Sequence, residues 1–159
     1  MNWVATLILL AGVADDFTTR KVHNWLAVVG LAIAFLVSFY FGKLVGLEVS
    51  FLGALAAFLI FLPLVLLKAL GAGDLKLFVA FGAAVNWNTV LYVAFYSLIW
   101  GTVFGLAQIF LRKEGRAFFG NLKTLAVNRK SEGVSLHKIP FTAAMFLGWL
   151  SFLRLEGHL

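Results

Sequence analysis

The stretch LFVAFGAAVNWNTVLYVAFYSLIWGTVFGLAQIFL, Leu77 to Leu111, runs for 35 residues without a charge. As one helix it would measure about 52 Å, whereas the hydrocarbon core of a bilayer is about 30 Å thick. It therefore reads as two spans. The break falls at Asn86-Trp87-Asn88, where amide side chains favour a turn and an indole suits the lipid–water boundary. Working outward, residues 1 to 14, Trp25 to Gly42, Val49 to Leu67 and Ile139 to Leu153 are further uncharged runs. The expected fold is thus all-α and polytopic, with six transmembrane helices, of which the first and the fourth (about Asp74 to Val85) are unusually short. Pro63 is expected to kink the third.

Composition points the same way. The chain of 159 residues is 62% hydrophobic and 13% charged, against roughly 45–50% and about 25% in a soluble domain. Six spans take about 120 residues, so residues 1–159 read as a single membrane-embedded domain with no room for a soluble one. The first run lacks a basic n-region and a small-residue cleavage site, and reads as a retained span rather than a signal peptide. There is no cysteine, which excludes disulfides, thiol nucleophiles and thiolate metal sites. With only three scattered histidines, neither a metal nor an organic cofactor is expected.

The net charge of +6 is read first as topology, not as a sign of nucleic-acid binding. Six spans place Arg20, Lys21, Lys68, Lys76, Arg112, Lys113, Arg116, Lys123, Arg129, Lys130 and Lys138 on one side, and only Lys43 and Arg154 on the other. Eleven against two is a strong positive-inside bias, so both termini are expected to face away from the cytoplasm. In the one sizeable loop, Arg112 to Lys138, Phe118, Leu122, Leu125 and Ala126 recur at helical spacing with Arg116, Lys123, Thr124 and Asn128 between them. That pattern suits a cytoplasmic amphipathic helix lying against anionic lipid headgroups; an irregular basic loop is the alternative.

Of the seven acidic residues, Glu48, Glu114, Glu132 and Glu156 fall in loops or the tail, leaving Asp15, Asp16 and Asp74 at the ends of spans. Two complete crossings separate Asp16 from Asp74, so both belong at the cytoplasmic boundary. Two close carboxylates resist double ionisation and share a proton; one can then activate water while the other polarises a carbonyl. On position alone, it is equally open that each acid marks a helix end and pairs with Arg20, Lys21 or Lys76. The neighbourhood of Asp74 is Gly71-Ala72-Gly73-Asp74-Leu75-Lys76, where the glycines are expected to allow unusual backbone and close approach of another chain.

Taken in order, Asp16 with Thr19, Val22, His23 and Asn24, then Gly71-Ala72-Gly73-Asp74-Leu75-Lys76-Leu77, then Lys138-Ile139-Pro140-Phe141, resemble the type IV prepilin peptidase family over nearly the whole chain. The likeness is to the short form associated with Flp-type pili, polytopic aspartyl proteases of the G-x-G-D type. The resemblance implies Asp16 and Asp74 as the catalytic pair, with Gly71, Gly73, Lys76 and Asn24 in the active-site loops. It also implies the substrate, a prepilin whose short basic leader is removed on the cytoplasmic side after a glycine. Asp16 is selected over Asp15 because the family's acid precedes its Pro-Asn pair by seven residues, the spacing from Asp16 to His23-Asn24. His23 departs from that proline. Longer members carry a cysteine-bearing insert and also methylate the new N-terminus, an activity not expected here.

Two other classes compete with this reading. A small ion- or proton-coupled transporter predicts acids near the midplane and repeat symmetry; a non-catalytic assembly subunit needs no paired acids. Lys76, roughly 200° around a helix from Asp74, is expected to snorkel rather than react. Gly101-x-x-x-Gly105 is expected to pack helices within the monomer.

Overall fold

The computed structural model describes residues 2–19, 23–67, 70–111 and 141–156. They form five helices and, among the described residues, no strand: α1 (Asn2–Thr19), α2 (Asn24–Leu66), α3 (Ala72–Ala84), α4 (Trp87–Leu111) and α5 (Phe141–Leu155). The expected amphipathic helix between Arg112 and Lys138 lies outside the described residues.

Two helical segments among the described residues are long and apolar enough to cross a bilayer, Asn24–Leu66 and Trp87–Ala107, not six. The physical reason is length. At 1.5 Å per residue, α3 and α5 measure about 20 and 22 Å, short of about 30 Å of hydrocarbon, and α1 carries Asp15 and Asp16 near its end. The remaining difference from the expected spans is α2. Its 43 residues would extend about 64 Å if straight, but Lys43 takes φ 50° and ψ −134°, which divides it into two arms. A Cβ added to Gly46 would overlap the Ser38 carbonyl, eight residues earlier, a separation of about 12 Å along a straight helix. The arms therefore double back on one another, and Leu31 and Phe35 line one apolar groove with Ala54 and Phe58. Lys43, not Pro63, is where α2 leaves helical geometry.

The break between α3 and α4 sits where the amides stand. Helix α3 ends at Ala84 and α4 begins at Trp87, with Asn86 between them. Asn86 Oδ1 accepts the Thr89 N–H at 2.8 Å, satisfying a first-turn donor that the helix itself cannot.

Helix α3 is the centre of the molecule. Leu77, Phe78 and every residue from Ala80 to Ala84 are buried, as a short helix apolar all round must be. Phe61 of α2, Phe78 and Phe81 of α3 and Trp149 of α5 form a continuous ring series with centroids 4.1, 5.4 and 5.3 Å apart. Backbones touch where side chains vanish. A Cβ on Gly82 would stand 2.5 Å from the Gly53 carbonyl oxygen, and Phe141 fills the space beside Gly101, joining α5 to α4 within the monomer. The outer faces of α2 and α4 leave Leu36, Tyr40, Phe41, Leu44 and Phe95 exposed, an apolar belt that matches lipid rather than water.

Candidate active site

Helix α1 buries Ala5, Leu9 and Gly12 on one face, and the next position of that 4-3-4 series is Asp16. At Gly12 it meets α3: an added Cβ would lie 2.8 Å from Leu77 Cδ1. Asp16 stands four residues beyond this contact on α1, and Asp74 three residues before it on α3. Those are same-face spacings on helices, and His23 bonding Asp15 while Asn24 bonds Lys76 puts the end of α1 beside the start of α3, so the contact carries both acids to one end of the α1/α3 pair. Both are half-buried.

Each carboxylate has its own holder. Asp74 is in the first turn of α3, where the helix dipole favours a negative charge, and its Oδ2 accepts the Gly71 N–H at 3.2 Å. Gly71 itself has φ −77° and ψ 146°, a backbone open to any residue, so the expected conformational need is not what it meets. It supplies space: a Cβ there would lie 3.1 Å from Asp74 Oδ2. Gly73 lies within the first turn of α3. Asp16 Oδ2 accepts the hydroxyl of Thr142, a fully buried residue of α5, at 2.6 Å.

The other expected loop residues divide into a separate pair. Lys76 Nζ donates to Asn24 Oδ1 at 2.9 Å, fastening the start of α3 to the start of α2. The ammonium thus bonds across helices, where snorkelling was expected. Neither Arg20 nor Lys21, the other proposed partners for the acids, is among the described residues. Asp15 is occupied differently from Asp16. Its Oδ2 accepts the His23 N–H at 2.8 Å and its Oδ1 lies 2.8 Å from His23 Nδ1, which closes the connection from α1 to α2. A proline at position 23 has no N–H to donate, so the histidine adds a bond that the proline of the resemblance could not make.

Sequence reasoning missed Thr142. Its one signal is a hydroxyl in the stretch that opens the last apolar run, two residues after Pro140. Among the described residues, no group of three or more histidines, aspartates or glutamates is arranged to hold a metal ion.

A model of the type IV leader peptidase family matches residues 3–106. The chain belongs to that family. The match spans Asp16, Asn24, Gly71, Gly73, Asp74 and Lys76, and it ends before α5, so Thr142 lies beyond it. Membership makes the protein a peptidase by kinship, and membership together with the two long apolar helices makes it a membrane protein. No curated protein and no solved structure matches the chain.

Proposed function

We propose that this leader peptidase family member is a membrane aspartyl endopeptidase that removes the basic leader of type IV, Flp-type prepilins at the cytoplasmic face. Asp16 and Asp74 are its catalytic pair. One carboxylate takes a proton from water, whose oxygen attacks the scissile carbonyl carbon, while the protonated partner donates to the carbonyl oxygen. Collapse of the tetrahedral species breaks the C–N bond; the amine leaves with the proton taken from water, a hydroxyl of the diol returns its proton to the other carboxylate as the C=O re-forms, and the pair again holds one proton. One water is consumed and no cofactor is required.

The observation that carries the reading is the close approach of α1 and α3 at Gly12 and Leu77, one turn from both acids. Topology supports it too. Among the described residues the two arms of α2 with α1, α3, α4 and α5 make six helical segments; taking each as a crossing, short ones included, is favoured by the charge bias of eleven basic residues against two, which would set both termini outside. In that arrangement the basic stretch of sequence from Arg112 to Lys138 belongs to the cytoplasmic side, where anionic headgroups are its proposed partner. Since prepilin leaders are basic as well, this surface serves topology and lipid rather than substrate attraction. A coupled carrier fits less well, because its acids belong near the bilayer midplane, whereas Asp16 and Asp74 stand near helix ends.

The test is cleavage of a peptide carrying a basic leader, a glycine and an apolar helix by purified protein in detergent, read by mass spectrometry. Two products that divide directly after the glycine are expected. An intact peptide, or a cut within the leader, would refute the assignment.

A further inference from the structure

We propose that Thr142 is a positioning residue for Asp16, holding the carboxylate in the orientation from which it acts; this rests on the catalytic pair proposed above. Asp16 is near the end of α1, where a side chain with two free torsions would otherwise sample several rotamers. Among the described residues its carboxylate has one hydrogen-bond partner, the Thr142 hydroxyl, at 2.6 Å. That separation is typical of a hydroxyl donating to a charged oxygen. With Oδ2 engaged, Oδ1 is the oxygen left to take a proton from water.

The donor is itself held on several sides. Thr142 is fully buried in the first turn of α5. Its neighbour Phe141 fills the space beside Gly101 of α4 and lies 6.0 Å from the Phe61 ring of α2. Further along the same helix, Trp149 Nε1 donates to Thr6 Oγ1 of α1 at 2.9 Å. Two hydrogen bonds, at Thr6 and at Asp16, thus fix the register of α5 on α1 over ten residues of α1, about 15 Å. The hydroxyl is delivered by a rigid element, as precise orientation of a reacting group requires.

A packing role for Thr142 makes the opposite forecast, which gives the test its force. Thr142→Val keeps the volume and methyl but loses the hydroxyl; Thr142→Ser keeps the hydroxyl but loses the methyl. Full-length variants in detergent are assayed for kcat and KM on the leader peptide and for thermal unfolding. Positioning predicts that Thr142→Val lowers kcat by about 10–100-fold with KM changed less than about twofold, since misorientation by about 1 Å costs up to about 10²-fold. It predicts that Thr142→Ser stays within about threefold of the parent even if its Tm falls. Activity retained in Thr142→Val, or activities that merely follow the order of Tm, would overturn the proposal.

Should Thr142→Val not fold, Thr142→Ser and Thr142→Ala decide the matter, because both remove the methyl and only the hydroxyl separates them. A kcat ratio of about 10 or more supports positioning, and a ratio near one refutes it. Asp16→Asn distinguishes the two levels of failure. A dead Asp16→Asn beside a fully active Thr142→Val removes the role of Thr142 alone, whereas an active Asp16→Asn removes the catalytic pair beneath it.

Discussion

Replacing Gly82 by alanine should both loosen the fold and impair cleavage, because this is where α3 rests directly on α2. The new Cβ would stand 2.5 Å from the Gly53 carbonyl oxygen and 2.7 Å from Ala57 Cβ. Carbon atoms pack best at about 3.5–4.0 Å, so relief requires the helices to part by roughly 0.8 Å. A gap of about 0.5–1 Å forfeits about a quarter to a half of each dispersion contact, and overpacking of this kind costs about 1–3 kcal/mol. Alanine also favours any helix by roughly 0.5–1 kcal/mol over glycine, which must be cancelled. Gly42→Ala does so, since nothing lies within 4 Å of its added Cβ. Thermal unfolding in detergent should place Gly82→Ala about 1–3 kcal/mol below Gly42→Ala, or about 2–12 °C in Tm. Because α3 also carries Asp74, a shift of this size should reduce leader cleavage by up to about 10²-fold. Equal stability of the two alanine variants would refute the reasoning.

Asn86→Ala should lower stability by about 0.5–2 kcal/mol through loss of the cap on Thr89, with Asn86→Asp or Asn86→Ser retaining most of it in the same unfolding assay. Lys43→Gly should raise the Tm, because a lysine at φ 50° stores about 1–3 kcal/mol of strain that glycine does not. Single cysteines introduced into this cysteine-free chain should react with an impermeant reagent from the cytoplasmic side at Thr19 and Ala72, and from the opposite side at Leu47 and Asn88. A cytoplasmic Asn88 would overturn six crossings.

What the sequence revealed was governed by local chemistry. The boundary at Asn86 could be read because an amide that favours turns is also the side chain that caps α4. The reversal near Lys43 was legible only as a charged interval between apolar runs; a lysine has no preference for positive φ, so the single residue that turns the chain could not be identified. At Gly71 the expected reason, backbone freedom, gives way to a need for space, which appears only when the Asp74 carboxylate is seen to fold back upon it. Thr142 and the Gly53 to Gly82 contact are tertiary facts. They join positions 126 and 29 residues away from their partners, and no periodicity in a single sequence pairs them.

The most direct test of the catalytic pair compares leader cleavage by the parent protein with that of Asp15→Asn, Asp16→Asn and Asp74→Asn, each verified as folded by its unfolding temperature. Asparagine keeps the shape of the side chain but can neither take nor share the proton. Asp16→Asn and Asp74→Asn should each abolish cleavage, and their combination should be no worse than either, as for residues that act as a unit. Asp15→Asn, whose parent carboxylate bonds His23, should retain substantial activity. An inactive Asp15→Asn beside an active Asp16→Asn would identify the wrong acid, and full activity in Asp74→Asn would contradict aspartyl catalysis itself.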